Sequence, residues 1–309
     1  MQGNPDAHCF TKTPEAPLFG QDWWWDAVCL PQNRHEIVFR DKKGSVRGLW
    51  RMAEVRRMGI FQVYGMPSLT QHAGVYLADR QDFINLLSQL PPKKNLCLNL
   101  GFKLNDKEVQ WLQGQGIHVE KRVSHRLEDL SDLEKVYQGV KTTRRQKIRR
   151  AERSLSVFYP DDIEPLIELQ AETFRRRGMK NLYPPQTVRK LYQAVKEHQA
   201  GKLIALKDSQ DRIVACGLFV HDNSICYCLT HGVRKLEHDL GAGSLLLWKG
   251  IEYAAKRGVT FDFEGSNIKQ IADFNLSFGA SEGSYFRLER YSTFFRLGER
   301  LWNRLKPTR

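Results

Sequence analysis

Cysteine is scarce in this 309-residue chain, which holds six: Cys9, Cys29, Cys97, Cys216, Cys226 and Cys228. None forms a Cys-x-x-Cys pair or a metal-ligand spacing, and a chain this long does not need disulfide staples. Reduced thiols, a cytoplasmic location and no metal are expected. Long apolar runs are also missing. No stretch approaches the roughly 18 residues of a membrane-spanning helix, and the mean hydropathy is −0.51. The first thirty residues carry acidic side chains, Pro5, Pro14, Pro17 and Trp23-Trp24-Trp25. They do not read as a secretory signal, which needs a basic segment before an apolar one. Zinc-finger spacing and the aromatic-interleaved signature of RNA-binding modules are absent as well, so a dedicated nucleic-acid reader is not supported. Hydrophobic residues make up 41% of the chain, too many for a disordered protein. The length suits about two domains of roughly 150 residues.

Charge is plentiful and unevenly placed. Lysine and arginine number 48 against 35 acidic residues, a formal net charge of +13. Lys141–Arg153 carries seven basic residues and one acidic, and Arg287–Arg309 carries seven and two, so these segments hold +11 of the excess. Each is either a solvated helix face or a surface for a phosphate-rich partner: nucleic acid, a phosphorylated cofactor or anionic lipid.

Hydrophobic periodicity and turn residues divide the chain into two α/β halves. Strands are predicted at His35–Arg40, Val46–Glu54 and Gly59–Tyr64, then a helix at Arg80–Leu90, a strand at Asn95–Leu100, a helix at Asn105–Gln115 and a strand at Ile117–Val123. In the second half a strand at Leu155–Tyr159 precedes helices at Asp161–Arg177 and from Pro185 to about His198. A three-strand meander follows at Lys202–Lys207, Arg212–His221 and Ser224–His231. A helix at Gly243–Arg257, a strand at Val259–Phe263, a helix at Asn267–Phe278 and a strand at Ser284–Arg290 complete it. Both halves run meander, helix, strand, helix, strand, which reads as a weak internal duplication or as coincidence between two α/β halves.

His238-Asp239-Leu240-Gly241-Ala242-Gly243-Ser244 lies between a strand and a helix. Glycines there let backbone approach a ligand, and the free amides and dipole of the helix start favour an anion such as pyrophosphate; plain helix-start geometry is the alternative. His238-x-x-Gly241-x-Gly243 resembles the acyl-CoA loop of the GNAT acetyltransferases, with His238 in place of the usual Gln or Arg. Phe261-Asp262-Phe263-Glu264-Gly265-Ser266, Phe274-x-x-x-Phe278-Gly279, Arg144-x-x-x-Ile148-Arg149-Arg150-Ala151 and the aromatic opening Phe19–Asp26 are similar to the FemAB-like branch, which joins two GNAT-like units. The resemblance spans nearly the whole chain through short motifs. It implies two tandem GNAT-like units of α/β (α+β) class, each a mixed, mostly antiparallel sheet flanked by helices. Residues 1–125 would be a degenerate unit for acceptor binding or structure, since the helix there starts through Ala78-Asp79-Arg80-Gln81 without a glycine loop. Residues 126–286 would be the catalytic unit, and 287–309 a basic tail packing back on both.

The resemblance further implies that Cys228, Leu229 and the backbone up to His231 hold the acyl group. It gives His238, Leu240, Gly241, Ala242, Gly243, Ser244 and Asn267 to the cofactor, and Arg144, Arg145, Arg149 and Arg150 to phosphates or the acceptor. Glu264 and Asp262 are the candidate bases, because strand alternation places both with Thr260 on one face; helix capping or pairing with an arginine is the alternative for each. His231 is a further candidate. Asn275 stands where many GNAT enzymes have a tyrosine acid and Fem-type enzymes commonly have lysine; Tyr227 and Tyr285 are substitutes or core. Cys226 and Cys228 read as small packing groups, since no partner histidine is identifiable. Trp23-Trp24-Trp25 packs the N-terminal segment or lines an acceptor groove.

The activity implied is transfer of an acyl group, by default acetyl from acetyl-CoA, to a primary amine on a small molecule, peptide or lipid-linked acceptor. The alternatives are aminoacyl transfer from charged tRNA to a cell-wall precursor or small peptide, and a catalytically silent module on nucleic acid or membrane. Peripheral membrane contact is compatible with each.

Overall fold

A computed structural model of the protein describes residues 17–176, 178–235, 238–265 and 268–305. The chain forms two compact units: residues up to Arg122 together with those from Ser284, and Val123–Gly283.

In the first unit β1 (Arg34–Arg40), β2 (Val46–Arg57) and β3 (Phe61–Gly65) form an antiparallel meander, with β4 (Val75–Leu77) also on β2. Next, β5 (Leu96–Leu100) lies parallel to β3, and β12 (Ser281–Arg290) pairs antiparallel with β5. The short helix α1 (Asp22–Val28) buries Trp24 and Trp25. Their indole N–H groups donate to Thr70 Oγ1 at 3.0 Å and to the Phe19 carbonyl at 2.8 Å, so these two rings pack the N-terminal segment. Arg51 is fully buried, yet its guanidinium is satisfied by Asp22, by Glu36 at 2.8 Å and by the Gly20 carbonyl at 2.9 Å. Helices α2 (Phe83–Leu87) and α3 (Asp106–Gly114) complete a core around Trp50, Phe83, Leu98 and Leu112.

The second unit repeats the pattern. The strands β7 (Ser156–Phe158), β8 (Gly201–Lys207), β9 (Ile213–His221) and β10 (Ile225–Val233) are antiparallel neighbours. Then β11 (Thr260–Asp262) lies parallel to β10, and β6 (His118–Leu127) pairs antiparallel with β11. Each unit is thus a mixed, mostly antiparallel sheet with a single described parallel junction, β3 with β5 and β10 with β11. The two sheets of the tandem agree strand for strand from meander to closing strand.

The helices of this unit are α4 (Leu133–Gly139), α5 (Thr142–Ser154), α6 (Glu164–Arg176), α7 (Pro185–Glu197), α8 (Ala242–Ala255) and α9 (Lys269–Leu276). On one face α6 meets β10 closely enough that a Cβ at Gly232 would sit 2.6 Å from the Leu169 side chain. On the other, Leu245, Leu246 and Ile251 of α8 pack with Ile148 of α5 against Phe219 and Phe261.

Two expectations change. Strand β12 begins earlier than alternation suggested, at Ser281, and β6 ends later, at Leu127, because its far end is held by pairing Phe261↔Leu127 and Asp262↔Arg126. Residues 287–305 of the segment expected as a basic tail are part of the first unit. Arg287–Arg290 continue β12 against β5, and α10 (Thr293–Leu305) follows as an amphipathic helix seated on the first unit through buried Phe295.

The register facing Asp262 with Arg126 makes a buried ion pair, Nε to Oδ2 at 2.8 Å, with Asp262 fully enclosed. Removing one partner of such a pair leaves an uncompensated charge. Arg126→Ala is expected to cost about 3–5 kcal/mol in urea denaturation; a loss under about 1 kcal/mol would mean that water solvates Asp262.

Candidate active site

Strand β10 outruns its parallel partner. The last pair is Tyr227↔Asp262, after which β11 ends while β10 runs on to Val233 against β9. Beyond this point one edge of β10 is not paired with β11, and the strands part. The β9 register also shifts between Cys228 and Thr230, a bulge at Leu229. Cys228, Leu229 and His231 therefore lie on the stretch of β10 beyond its last pair with β11.

At the other side of the parting stands Glu264. Its φ is +62°, a left-handed conformation that costs a non-glycine residue on the order of 1–3 kcal/mol and gathers at functional sites. The Glu264 N–H donates to Asp262 Oδ1 at 2.8 Å, which also accepts the Ser124 hydroxyl at 2.6 Å. Asp262 thus has its oxygens occupied by Ser124, Arg126 and the Glu264 amide, and it serves as the positioning group for Glu264. The Glu264 carboxyl is different. The residue is partly accessible, yet Oε1 is enclosed and has no hydrogen-bond partner among the described residues. Burial, reinforced by the Asp262 charge, pushes this carboxyl well above the usual carboxylate range. Alternation with Thr260 and Asp262 does not apply to it, because β11 ends at Asp262 and the chain then turns left-handed.

Three groups respond to the Glu264 charge. Burial and then the Glu264 charge raise Tyr183 and Cys228, and Tyr227 is raised by burial with Asp222, Asp262 and Glu264 contributing. Tyr183, in the connection from α6 to α7, escaped the sequence reading, where Pro184-Pro185 marked only a helix start; an aromatic residue directly before that pair was the available signal. Arg126 and Ser124 were missed because the predicted strand stopped at Val123. His231 is exposed, and its Nδ1 lies 3.5 Å from Cys228 Sγ. Strict alternation hides this contact; the Leu229 bulge brings residues three apart to one face. The Cys228 thiol is pushed up, chiefly by burial, so it stays protonated and packs. Asn275 is buried in α9, and Tyr285 lies in the first unit against His72, ring centroids 5.5 Å apart.

The glycine loop leads into α8. Gly241 caps the helix at φ +79°, and a Cβ there would fall 2.5 Å from the Lys147 carbonyl of α5. Asp239 braces the loop: its Oδ1 accepts the Gly241 N–H at 2.9 Å, its Oδ2 pairs with Lys147 Nζ at 2.7 Å, and Arg150 donates to its carbonyl. The Ser244 and Leu245 amides turn back to the Gly241 carbonyl. Those of Ala242 and Gly243 make no hydrogen bond among the described residues, so they, with the helix dipole, remain for an anion. Leu240 is partly buried and His238 exposed beside them; Asn267 lies outside the described residues.

The four arginines separate. Arg144 donates to Ser244 Oγ at 2.7 Å and Ser277 Oγ at 2.8 Å, with its guanidinium 4.0 Å from the Phe274 ring centroid. It ties α5 to the start of α8 and the end of α9. Arg150 serves the loop, whereas Arg145 donates to the Gln138 carbonyl at 2.7 Å and Arg149 lies 5.8 Å from the Tyr137 ring centre, both on α4.

Residues 140–269 match the acetyltransferase (GNAT) domain family. A crystal structure of FemX aligns over 93% of this chain and 96% of its own, at 14% identity and a TM-score of 0.68. The chain thus matches the GNAT domain over 140–269 and shares the fold of FemX over nearly its whole length. The C-terminal domain of a putative lysylphosphatidylglycerol synthetase from Agrobacterium fabrum aligns with 95% of the chain and 94% of its own, at 12% identity and a TM-score of 0.60. A tandem GNAT protein from the clavulanic acid biosynthesis pathway aligns over 86% of each chain at 13% identity and a TM-score of 0.50. At these identities the likeness is one of fold. No curated protein matches the chain by sequence. Among the described residues, no helix is long and apolar enough to cross a membrane, and no cluster of histidine, cysteine and carboxylates could hold a metal.

The two glycines of the loop should respond differently. Gly241→Val combines a left-handed φ with overlap on the Lys147 carbonyl and should cost about 2–4 kcal/mol. Gly243→Leu meets only Val233, 3.5 Å from the added Cβ, and should melt within a few degrees of the wild type. Equal melting temperatures for both would contradict the close approach of α5 to the loop.

Proposed function

We propose that the second unit is an N-acyltransferase in which an amine attacks an acyl donor held along the parted edge of β10, with Glu264 taking the proton. The observation that carries this reading is the Glu264 carboxyl just past the end of β11, whose Oε1 is enclosed without a hydrogen-bond partner among the described residues and whose pKa burial raises. A carboxyl of that kind is matched to accepting a proton from an ammonium or attacking amine near neutral pH, better than an exposed glutamate. The amides at Cys228–His231 would receive the carbonyl and the developing oxyanion. Tyr183 and Tyr227, both kept protonated, would face the acceptor or the leaving group. Asp262 and Arg126 act through position alone.

The donor is proposed to be an acyl-CoA, acetyl by default, with its pyrophosphate on the free Ala242 and Gly243 amides. Lys147 and Arg150 would add positive charge, which Asp239 partly offsets. A second reading, aminoacyl transfer from charged tRNA, is supported by the fold shared with FemX and with a putative lysylphosphatidylglycerol synthetase, and by the basic helix α5. Peptide and lipid-linked amines suit both readings as acceptors, and the cytoplasm is the proposed location.

Calorimetric titration with acetyl-CoA and CoA separates the donors. Micromolar binding that Gly243→Leu weakens at least about tenfold supports the thioester reading, while no binding, together with saturable binding of charged tRNA, would transfer the proposal to the aminoacyl donor. Once an amine screen supplies an acceptor, Glu264→Gln should lower kcat about 10²–10⁴-fold with donor affinity unchanged. Wild-type turnover should fall as pH drops through a value above the ordinary carboxylate range, because the base is lost on protonation. Full activity in this variant would remove Glu264 from the chemistry.

The same raised carboxyl has a consequence for stability. Ionising it is harder folded than unfolded, so its cost is absent below the usual carboxylate range and grows as pH rises toward its own elevated value. Glu264→Gln should therefore be as stable as wild type in acid and more stable at neutral or alkaline pH. Denaturation across a pH series reads this without any substrate; a constant difference would mean the carboxyl is not desolvated.

A further inference from the structure

Helix α10 is anchored by one face only. Phe295 is fully buried, stacked on Tyr291 at 4.3 Å between ring centroids and edge-on to Phe61 at 5.2 Å. Gly298 lies so close to the Phe61 ring that a Cβ would approach it to 2.7 Å. At about 100° per residue, Phe294, Leu297 and Leu301 fall on a neighbouring stripe that nothing in the described chain covers. They are 80%, 49% and 59% exposed. Arg296, Arg300 and Arg304, one turn apart and all exposed, form the next row round the helix. Glu299 is the only acidic residue of the helix. Near the anchoring ring, the tip of the β2–β3 hairpin presents Ile60, 77% exposed and directly before Phe61, with exposed Arg56 a few residues earlier.

A convex apolar stripe edged along its length by arginines is the pattern of a helix lying in a bilayer interface, where apolar side chains enter the acyl boundary and cations meet phosphate headgroups. The arginine row has no matching carboxylates on the helix to neutralise it, so the occupant must bring negative charge as well as apolar surface. We propose that this face of α10 docks on an anionic lipid bilayer, with Phe294, Leu297 and Leu301 inserted and Arg296, Arg300 and Arg304 among the headgroups. The docking is independent of the acyl donor and of Glu264.

The test is flotation of the full chain with unilamellar vesicles of phosphatidylcholine alone or mixed with phosphatidylglycerol, with sizing of the free protein alongside. The wild type should float with the phosphatidylglycerol vesicles, less so at high salt, and remain largely free with phosphatidylcholine. Phe294→Glu combined with Leu301→Glu should reduce flotation at least about tenfold. The triple variant Arg296→Ser, Arg300→Ser, Arg304→Ser should erase the preference for the anionic lipid. All these side chains are exposed, so both variants should keep the wild-type melting temperature. Flotation unchanged in both variants, or no flotation of the wild type, overturns the proposal. So does a concentration-dependent dimer that the Phe294→Glu, Leu301→Glu variant abolishes, because the stripe would then be covered by a second copy.

Discussion

The buried pair between Arg126 and Asp262 is the interaction on which the candidate site depends. It follows from antiparallel register, which sets the two residues opposite each other on β6 and β11. Asp262 then has one oxygen for the guanidinium and one for both the Ser124 hydroxyl and the Glu264 amide. The last bond is the one with chemical reach. It fixes the first turn after β11, holding Glu264 in a conformation glutamate seldom adopts, with its carboxyl beside the parting strands. The fixed Asp262 charge in turn makes a second negative charge at Glu264 unfavourable and adds to the effect of burial. One ion pair therefore supplies the turn, the placement and part of the pKa shift.

The glycine loop rests on a different device. Arg144 links α8 and α9 through two serine hydroxyls while lying over Phe274, and Asp239 fastens the glycine loop to α5. A helix that reads in sequence as a uniform basic patch is divided by these bonds. Arg144 is consumed in structure, Lys147 and Arg150 flank the loop, and Arg145 and Arg149 lean on α4. At the corresponding place in the first unit the Asp79 side chain accepts from the Gln81 amide at 2.8 Å at the start of the helical segment, the bond that Asp239 makes to the Gly241 amide in the second.

How far the sequence could be read depends on what each feature requires. Apolar periodicity and turn residues are local, and they placed the meander, the glycine loop and the shared order of elements close to where the structure has them. Residues joined across strands were not legible. Arg126 opposes Asp262 only through register, and register between segments more than a hundred residues apart leaves no local mark. Bulges and left-handed turns defeat alternation in the same way, which is why the contact of His231 with Cys228 and the true direction of Glu264 had to come from the structure. The C-terminal segment shows a third kind of limit. Its charge was plain, but Phe295 and Gly298 gain meaning as an anchoring face only beside Phe61, and the remaining apolar stripe becomes conspicuous only once that face is accounted for.

The order of elements also decides where the functional unit ends. The stretch matched by the GNAT family, 140–269, contains the glycine loop, Glu264 and Asp262, but neither Ser124 nor Arg126. Those two belong to β6, which the chain has laid down before that stretch begins. Reduced to the matched residues alone, the domain would bury the Asp262 carboxylate with no cation and lose the strand beside β11, so the turn at Glu264 would lack the support that shapes it. The first unit likewise takes its closing strand, β12, from the far end of the chain. The two halves share an order of elements, but the first sheet is finished by a strand from the far end of the chain, whereas in the second unit the closing strand opens the unit's own sequence and carries the arginine paired with Asp262, the residue that accepts the amide of the proposed base.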